Sequence, residues 1–218
     1  MWVERKSTSQ SVETATTDWW GANVERVLVI PTKIVDDLVN GNDGIFPFEL
    51  EKLRDLIEKS AFFIDRDVAE SDETLRQLIP YVLMRQQGKF LLLRRTKKQQ
   101  ERRLHGKLSL GVGGHINSGD GETPWQALLK GMEREIREEV NVEVVQLSYV
   151  GLLNDTSSPV SRVHVGLVYL AEVKFLGLNE PDMFDFWFMD LKEIERRREE
   201  LEGWSKLALD FLKRPMPN

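Results

Sequence analysis

The 218-residue sequence contains no cysteine, and this absence excludes several classes of protein. A disulfide framework, a zinc site built on thiolates and a catalytic thiol nucleophile all need cysteine. No uninterrupted apolar stretch reaches the roughly 18 residues that a membrane-spanning helix needs. The first twenty residues also lack the apolar segment of a signal peptide. We therefore expect a cytoplasmic protein that works without a membrane.

An excess of positive charge is also missing. The chain has 30 Lys and Arg against 36 Asp and Glu, which gives a net charge of −6. Nucleic acids and most membrane surfaces are polyanions, so an acidic chain is a poor general binder of either. We expect no polymeric nucleic acid as a partner. The hydrophobic fraction of 41% is ordinary for a globular chain of one domain, or of one domain with an extension.

Composition divides the chain into three parts. Residues 1–20 are rich in Ser and Thr without periodicity, which predicts a flexible tail. Residues 21–75 hold a strand pattern at Val24–Ile30 and helix patterns at Lys33–Val39 and Phe48–Glu58, and a polar stretch, 64–75, follows. We interpret 21–75 as an N-terminal extension packed on a main domain of residues 76–218. Strands around one long helix, followed by two C-terminal helices, predict an α/β sandwich.

The main domain opens with a hairpin pattern and is organised around one helix. The hairpin runs over Leu78–Met84 and Lys89–Arg94, and further strands are predicted at Val142–Leu153, Val163–Phe175 and Phe184–Met189. The central helix begins at a defined point, because Thr123 is a capping residue, Pro124 suits the first helical position and Gln126 completes a capping box. Helices are also predicted around Leu191–Leu201 and Ser205–Leu212.

Three carboxylates share one face near the end of this helix. Glu135, Glu138 and Glu139 stand at i, i+3 and i+4, which brings them within about 5–6 Å of one another. Such a cluster is unfavourable unless it is neutralised, and Mg²⁺ prefers oxygen ligands of this kind. Arg134, four residues before Glu138, can orient that carboxylate. The alternative interpretation is a charged helix face that is simply solvated.

A Gly-Gly-His turn precedes the helix and favours the metal site over the solvated helix face. Gly113 and Gly114 permit a tight turn whose backbone carbonyls are available to a metal ion, and His115 follows them. Isolated Gly-Gly usually marks only a turn, but here it stands before a capped helix that ends in Arg-Glu-x-x-Glu-Glu.

With these residues the sequence resembles the Nudix hydrolase superfamily, whose motif reads Gly, five residues, Glu, seven residues, then Arg-Glu-apolar-x-Glu-Glu-x-Gly. The matching segments are Gly113–His115, Gly121–Pro124 and Arg134–Val142, within a region of about residues 77–190. The chain is also similar to a MutT-like subgroup of phosphoesterases through Gln77–Tyr81, Glu101–Gly106 and Gly111–Ile116. The resemblance implies an α/β/α sandwich with a mixed sheet, here with an N-terminal α/β extension.

The sequence departs from the family pattern in three places. Seven residues separate Gly114 from Glu122 where the pattern has five, and eleven separate Glu122 from Arg134 where it has seven. The second excess of four residues is about one helical turn, so it keeps the carboxylates on their face. Asn141 replaces the closing Gly, and Asn is the next-best residue for a left-handed helix stop.

The resemblance implies hydrolysis of a nucleoside diphosphate linked to another group, with Mg²⁺ or Mn²⁺ as cofactor. It makes Glu135, Glu138, Glu139 and the Gly113 carbonyl the expected metal ligands. Glu135 is an expected catalytic residue, supported by Arg134 and Glu122. The general base stays open between Glu135 and an acidic residue in the loop before the last strand, for which the candidates are Glu180, Asp182 and Asp185.

Substrate contacts are expected from a basic loop and two ring side chains. Residues 94–107 hold seven Lys or Arg against one Glu, and Arg102 and Arg103 lie nearest the glycine turn. They suit phosphate binding, although a solvated loop explains them equally well. His115 can touch substrate, and Trp187 can stack on a base, although aromatic residues at strand spacing are more often core. His164 is interpreted as structural, and neither histidine is expected to have a histidine partner.

Three other functions stay open at this point. The first is a Nudix module without catalysis that senses a nucleotide or binds a partner, which the long extension would suit. The second is an enzyme like isopentenyl-diphosphate isomerase, whose chemistry depends on a cysteine that this chain lacks. The third is a structural domain with an acidic surface helix. We expect a small nucleotide or diphosphate as the substrate, and a homodimer is possible because Nudix enzymes are often dimers.

Overall fold

Within the residues that the structure describes, ten strands form one mixed sheet with helices on both faces. The computed structural model describes residues 24–96 and 106–214. Within these ranges the strands are β1 (Arg26–Pro31), β2 (Gly44–Phe46), β3 (Phe62–Asp65), β4 (Leu75–Gln86), β5 (Lys89–Arg95), β6 (Leu108–Ser109), β7 (Gly111–Val112), β8 (Val140–Asn154), β9 (His164–Leu178) and β10 (Phe184–Met189). The helices are α1 (Thr32–Val39), α2 (Leu50–Ser60), α3 (Arg66–Ala69), α4 (Pro124–Glu139), α5 (Pro159–Arg162), α6 (Leu191–Arg196) and α7 (Gly203–Leu212).

The centre of the sheet is a parallel pair. β4 and β9 run side by side from Gln77 and His164 to Arg85 and Glu172. The main strand order is β10-β5-β4-β9-β8-β2, and the other pairings are antiparallel. The expected mixed sheet is therefore confirmed.

The N-terminal strands continue this sheet. β1 pairs with both β3 and β4, and β2 pairs with the end of β8. The polar stretch 64–75 is more ordered than a plain connector, because its first residues belong to β3 and the next ones form α3. β3 is only four residues long, too short for its alternation to be visible in the sequence.

Alternation along the strands fills two apolar layers, one on each face of the sheet. Leu91 and Leu93 of β5 point into the layer that α2 and α4 cover, and Leu92 points into the layer that α6 and α7 cover. The first layer includes Leu53 from α2 and Leu128 from α4. Side chains two residues apart on a strand share a face, so one strand serves both layers. This arrangement confirms the α/β/α sandwich.

Most boundaries agree with the predicted ones. α1 ends at Asn40, which is left-handed with φ 51°, and the β4–β5 hairpin turns through Gln87 and Gly88, with φ of 51° and 79°. Thr123 caps α4, since its side chain accepts a hydrogen bond from the Gln126 N–H at 3.3 Å.

The end of α4 differs from the predicted left-handed stop. Val140 is already extended, with φ −131° and ψ 144°, and Asn141 pairs with Gly177 inside β8. Val140 is β-branched and only 1% exposed, so the chain passes straight from helix to strand while burying this side chain in the core.

No helix in the described ranges has both the length and the apolar character that crossing a bilayer requires.

A buried polar network fastens α7 to the sheet. The Ser205 hydroxyl accepts a hydrogen bond from the Leu110 N–H at 2.7 Å and lies 2.8 Å from the Tyr81 hydroxyl. The Tyr81 hydroxyl also donates to the Glu202 carboxylate at 2.8 Å, and that carboxylate caps α7 by accepting from the N–H groups of Trp204 and Ser205. Leu110 stands between β6 and β7, so the network also fixes the backbone that leads to the glycine turn.

Replacing Ser205 with Ala should lower the free energy of unfolding by about 1–3 kcal/mol, because the Leu110 N–H loses its buried acceptor. Urea denaturation measures the change. Ser148→Ala is the matched control, because Ser148 is exposed and its loss should change the free energy by less than about 0.5 kcal/mol. Equal effects of the two substitutions would contradict the role given to the network.

Candidate active site

Arg134 lies at the centre of the contacts between α4 and the turn before it. Its guanidinium donates to both Asp120 carboxylate oxygens at 2.9 Å and to the His115 carbonyl at 2.9 Å. It also donates to Glu135 at 2.6 Å and reaches Glu138 at 3.5 Å. Arginine presents several donors in a rigid fork, so one side chain can orient several acceptors at once. The helix end and the turn are therefore held as one unit.

The carboxylate that holds Arg134 is Asp120. Its side chain is 11% exposed, and it also accepts the Asn117 N–H at 2.8 Å. Burial opposes its ionisation, but the hydrogen bonds from Arg134 and Asn117 outweigh that effect and lower the pKa of Asp120. Glu122, the residue expected from the motif, is exposed, and within the described residues no hydrogen bond or ion pair joins it to Arg134.

The sequence did hold a signal for Asp120. Five residues separate it from Gly114, which is the spacing of the family motif, whereas Glu122 lies two residues too far. The family motif names Glu at this position, whereas this chain has Asp, which carries the same carboxylate on a shorter side chain. The shorter Asp side chain suits the place, because Asp120 packs against α4 at Gly131, where a Cβ would lie 2.8 Å from the carboxylate.

Both glycines of the turn make close contacts, with backbone at Gly113 and with the end of a flexible side chain at Gly114. A Cβ on Gly113 would overlap the carbonyl oxygen of Pro80 in β4. A Cβ on Gly114 would overlap the carboxylate of Glu135. The Gly-Gly pair therefore lets the turn pass between β4 and α4 and brings the Glu135 carboxylate onto its backbone.

Two of the three helix carboxylates, those of Glu135 and Glu139, are largely buried. Burial raises the pKa of Glu135, although Arg134 opposes this. Burial also raises the pKa of Glu139 to about 7; the charges of Glu135 and Glu180 add to the rise, while Arg95, which donates to Glu139 at 3.2 Å, opposes it. Glu138 is exposed. The helix end thus carries concentrated negative charge with little solvation.

The donor chemistry of this face fits a hard divalent cation. Mg²⁺ takes oxygen ligands and usually keeps several waters, so carboxylates and a backbone carbonyl are suitable. Between residues 24–96 and 106–214, however, no three Asp, Glu or His side chains are already arranged around a common point. Glu135 contacts Arg134 and Glu139 contacts Arg95 through one carboxylate oxygen each, so the second oxygen of each carboxylate is the one that a cation would use while the arginine keeps its contact.

The histidines have a neighbour that the sequence did not predict. Nε2 of His115 lies 3.4 Å from Nε2 of His164, so the expectation that neither has a histidine partner is wrong. The two residues are 49 positions apart, and only the docking of the turn against the start of β9 brings them together. Burial, aided by the charges of Arg66 and His164, lowers the pKa of His115 to about 3.

Trp187, another expected substrate residue, lies further along the sheet on β10. Trp187 is partly buried on β10, and the guanidinium groups of Arg94 and Arg197 stand 4.7 Å and 5.4 Å from its ring centre. Arg102 and Arg103 lie outside the described residues. Of the acids expected in the loop, Asp185 instead lies in β10 and pairs with Arg94 at 2.9 Å, whereas the charge of Glu180 acts on Glu139.

Comparisons with known proteins agree with this geometry. The family model of the NUDIX domain matches residues 75–210. The protein YmaB of Bacillus subtilis is 33% identical over 156 residues, which are 67% of this chain and 76% of that protein. The crystal structure of Tm1382, a candidate Nudix hydrolase, is 38% identical and superposes with a TM-score of 0.79 over 86% of this chain and 98% of its own.

A more distant structure shares the fold alone. DR0079 of Deinococcus radiodurans is 18% identical, with a TM-score of 0.52, and the match covers 79% of this chain and 98% of that one.

The raised pKa of Glu139 predicts a pH dependence of stability in the metal-free protein. The folded state holds this proton up to about pH 7, against an ordinary value of 4.5, so the folded form binds more protons in that interval. The contribution of Glu139 to stability is therefore greatest below pH 4.5 and falls as the pH rises towards 7, by on the order of 2–3 kcal/mol. Glu139→Gln should remove this part of the slope, measured by urea denaturation in EDTA at several pH values.

Glu138→Gln is the matched control for that series, because it changes an exposed carboxylate on the same helix face. We expect its profile to run parallel to that of the unmodified protein. A parallel profile for Glu139→Gln as well would show that burial of Glu139 does not govern the slope.

Proposed function

The chain belongs to the Nudix family, the hydrolases of phosphoric anhydride bonds, and we propose that it is a Mg²⁺-dependent pyrophosphohydrolase. Nudix hydrolases act on small nucleotide substrates, and the proposed substrate is a nucleoside diphosphate linked to another group. One observation carries the proposal. Arg134 joins the Gly-Gly-His turn to a helix end whose three carboxylates, Glu135, Glu138 and Glu139, are all present.

We propose that Glu135, Glu138 and Glu139 bind the metal ion together with the carbonyl of Gly113. Mn²⁺ can replace Mg²⁺ at this proposed site. When bound, such an ion offsets the charge of a diphosphate and lowers the pKa of an attacking water. The protein residues position this chemistry. Arg134 orients the carboxylates of α4, and Asp120 fixes Arg134 with two hydrogen bonds.

Two groups are candidates for the general base. Glu135 is supported by its partial burial and by its raised pKa, which makes the carboxylate a stronger base than an exposed Glu. Glu180 is supported by its position in the chain, because the N–H of Asn179, the residue before it, donates to the Glu139 carbonyl at 3.1 Å.

For the substrate we propose phosphate contacts from Arg102 and Arg103, with His115 at the turn. Stacking of a base on Trp187 would need Arg94 or Arg197 to leave the ring face it now covers. We therefore expect Trp187 to bind substrate only if one of these arginines turns towards a phosphate.

The first experiment is a hydrolysis panel. It contains nucleoside triphosphates, dinucleoside polyphosphates, nucleotide sugars, ADP-ribose, NADH and coenzyme A, each with Mg²⁺ and with Mn²⁺, and products are identified by mass. We expect cleavage of a diphosphate linkage by the unmodified protein and none by Glu139→Gln. A protein that binds a nucleotide but cleaves nothing on the panel would instead favour a non-catalytic sensing module.

The role of Asp120 is tested by one pair of variants. Asp120→Asn should lower kcat by about 10–100-fold, the usual effect of losing a group that orients metal ligands. Glu122→Gln should leave kcat within about twofold, because Glu122 is exposed and does not contact Arg134. Both values of kcat are measured by steady-state kinetics with the best substrate of the panel. A larger loss of kcat in Glu122→Gln than in Asp120→Asn would show that Glu122, not Asp120, supports the site.

A further inference from the structure

The strongest feature outside the carboxylate face is the pair formed by His115 and His164. Their Nε2 atoms are 3.4 Å apart, with ring centres 5.6 Å apart and ring planes inclined by 55°. Two imidazole nitrogens that bind one Zn²⁺ tetrahedrally, at about 2.0–2.1 Å each, lie about 3.3–3.4 Å from one another. The pair is therefore spaced as two ligands of one ion would be.

The other ring nitrogen of His164 is held in the way that metal-binding histidines usually are. Nδ1 of His164 lies 2.7 Å from the carbonyl oxygen of Val160. A carbonyl only accepts hydrogen bonds, so Nδ1 carries the proton and Nε2 of the neutral ring has the lone pair. Metal-ligating histidines almost always donate their second N–H to such an acceptor, which fixes both tautomer and orientation.

Next to His164 on the adjacent strand is a buried amide without partners among the described residues. Gln77 is 1% exposed, and among the described residues neither its Oε1 nor its Nε2 has a hydrogen-bond partner. It is the register neighbour of His164 in the parallel β4–β9 pair, so the two side chains lie on the same face of the sheet. Buried polar atoms without partners are rare, and an ion with its waters would supply one here.

The cationic side chains near His115 are paired with carboxylates. Arg66 and Arg134 both disfavour positive charge at this imidazole, but Arg66 is paired with Glu25 at 2.9 Å and with Glu70 at 2.8 Å, and Arg134 is paired with Asp120 at 2.9 Å. An ion bound here is therefore close to carboxylates as well as to arginines.

We propose that His115 and His164 bind a transition-metal ion of the Zn²⁺ type at a site separate from the carboxylates of α4. Imidazole nitrogen suits Zn²⁺, Ni²⁺ and Cu²⁺, whereas Mg²⁺ prefers oxygen, so the two sites select different ions. Water completes the coordination. On binding, the proton on Nε2 of His115 moves to Nδ1 of the same ring by exchange with water, so both imidazoles stay neutral, and the ion connects the glycine turn to the first residue of β9.

The test is Zn²⁺ binding to the full chain in the presence of millimolar Mg²⁺, which occupies carboxylate sites. Isothermal titration is compared between the unmodified protein, His164→Asn and Glu139→Gln. Asn leaves an amide N–H close to the place of Nδ1, so it can still donate to Val160 while Nε2 is removed. We expect His164→Asn to weaken Zn²⁺ binding by at least about tenfold and Glu139→Gln to leave it unchanged.

A second measurement keeps the proposal open to refutation if the Asn variant folds poorly. The chain has 3 histidines, so ring signals in a two-dimensional NMR spectrum are few and can be assigned. Zn²⁺ should shift the Nε2 signals of His115 and His164. Equal Zn²⁺ affinity in His164→Asn, loss of binding only in Glu139→Gln, or unchanged ring signals would each overturn the proposal. None of these outcomes depends on whether the protein hydrolyses a nucleotide.

Discussion

The organisation of the candidate active site depends on one ion pair, between Arg134 on α4 and Asp120 in the turn before it. Two charge-assisted hydrogen bonds fix the guanidinium, and its remaining donors then reach the His115 carbonyl, Glu135 and Glu138. Without Asp120, the contacts of Arg134 would be mainly with the carboxylates of its own helix. Because Asp120 binds Arg134, the position of the turn and the position of the helix face depend on each other.

That coupling concentrates charge where water is scarce. Glu139 is almost buried beside Glu135, and Arg95 and Arg134 each neutralise one of them in the metal-free protein. The same carboxylates are the proposed metal ligands, and each arginine contacts only one of the two carboxylate oxygens. A helix face that destabilises the apoprotein at neutral pH is consistent with a site built for a cation.

The glycine turn shows how the sheet supports this arrangement. Gly113 passes so close to the Pro80 carbonyl that a side chain would not fit, and Gly114 receives the Glu135 carboxylate. β4 itself is fixed by its parallel pairing with β9 and by the Tyr81–Ser205 contact to α7. The turn is therefore positioned by the rigid centre of the sheet rather than by its own loop.

The sequence by itself determined the features that depend on local chemistry. The cap at Thr123, the hairpin turn at Gln87 and Gly88 and the shared face of the α4 carboxylates follow from residue type and spacing over a few positions. The tertiary structure alone decided which distant groups meet. Asp120, and not Glu122, contacts Arg134. His115 lies next to His164 only because the glycine turn docks against the start of β9. Such contacts depend on how the elements pack, which spacing along one chain does not specify.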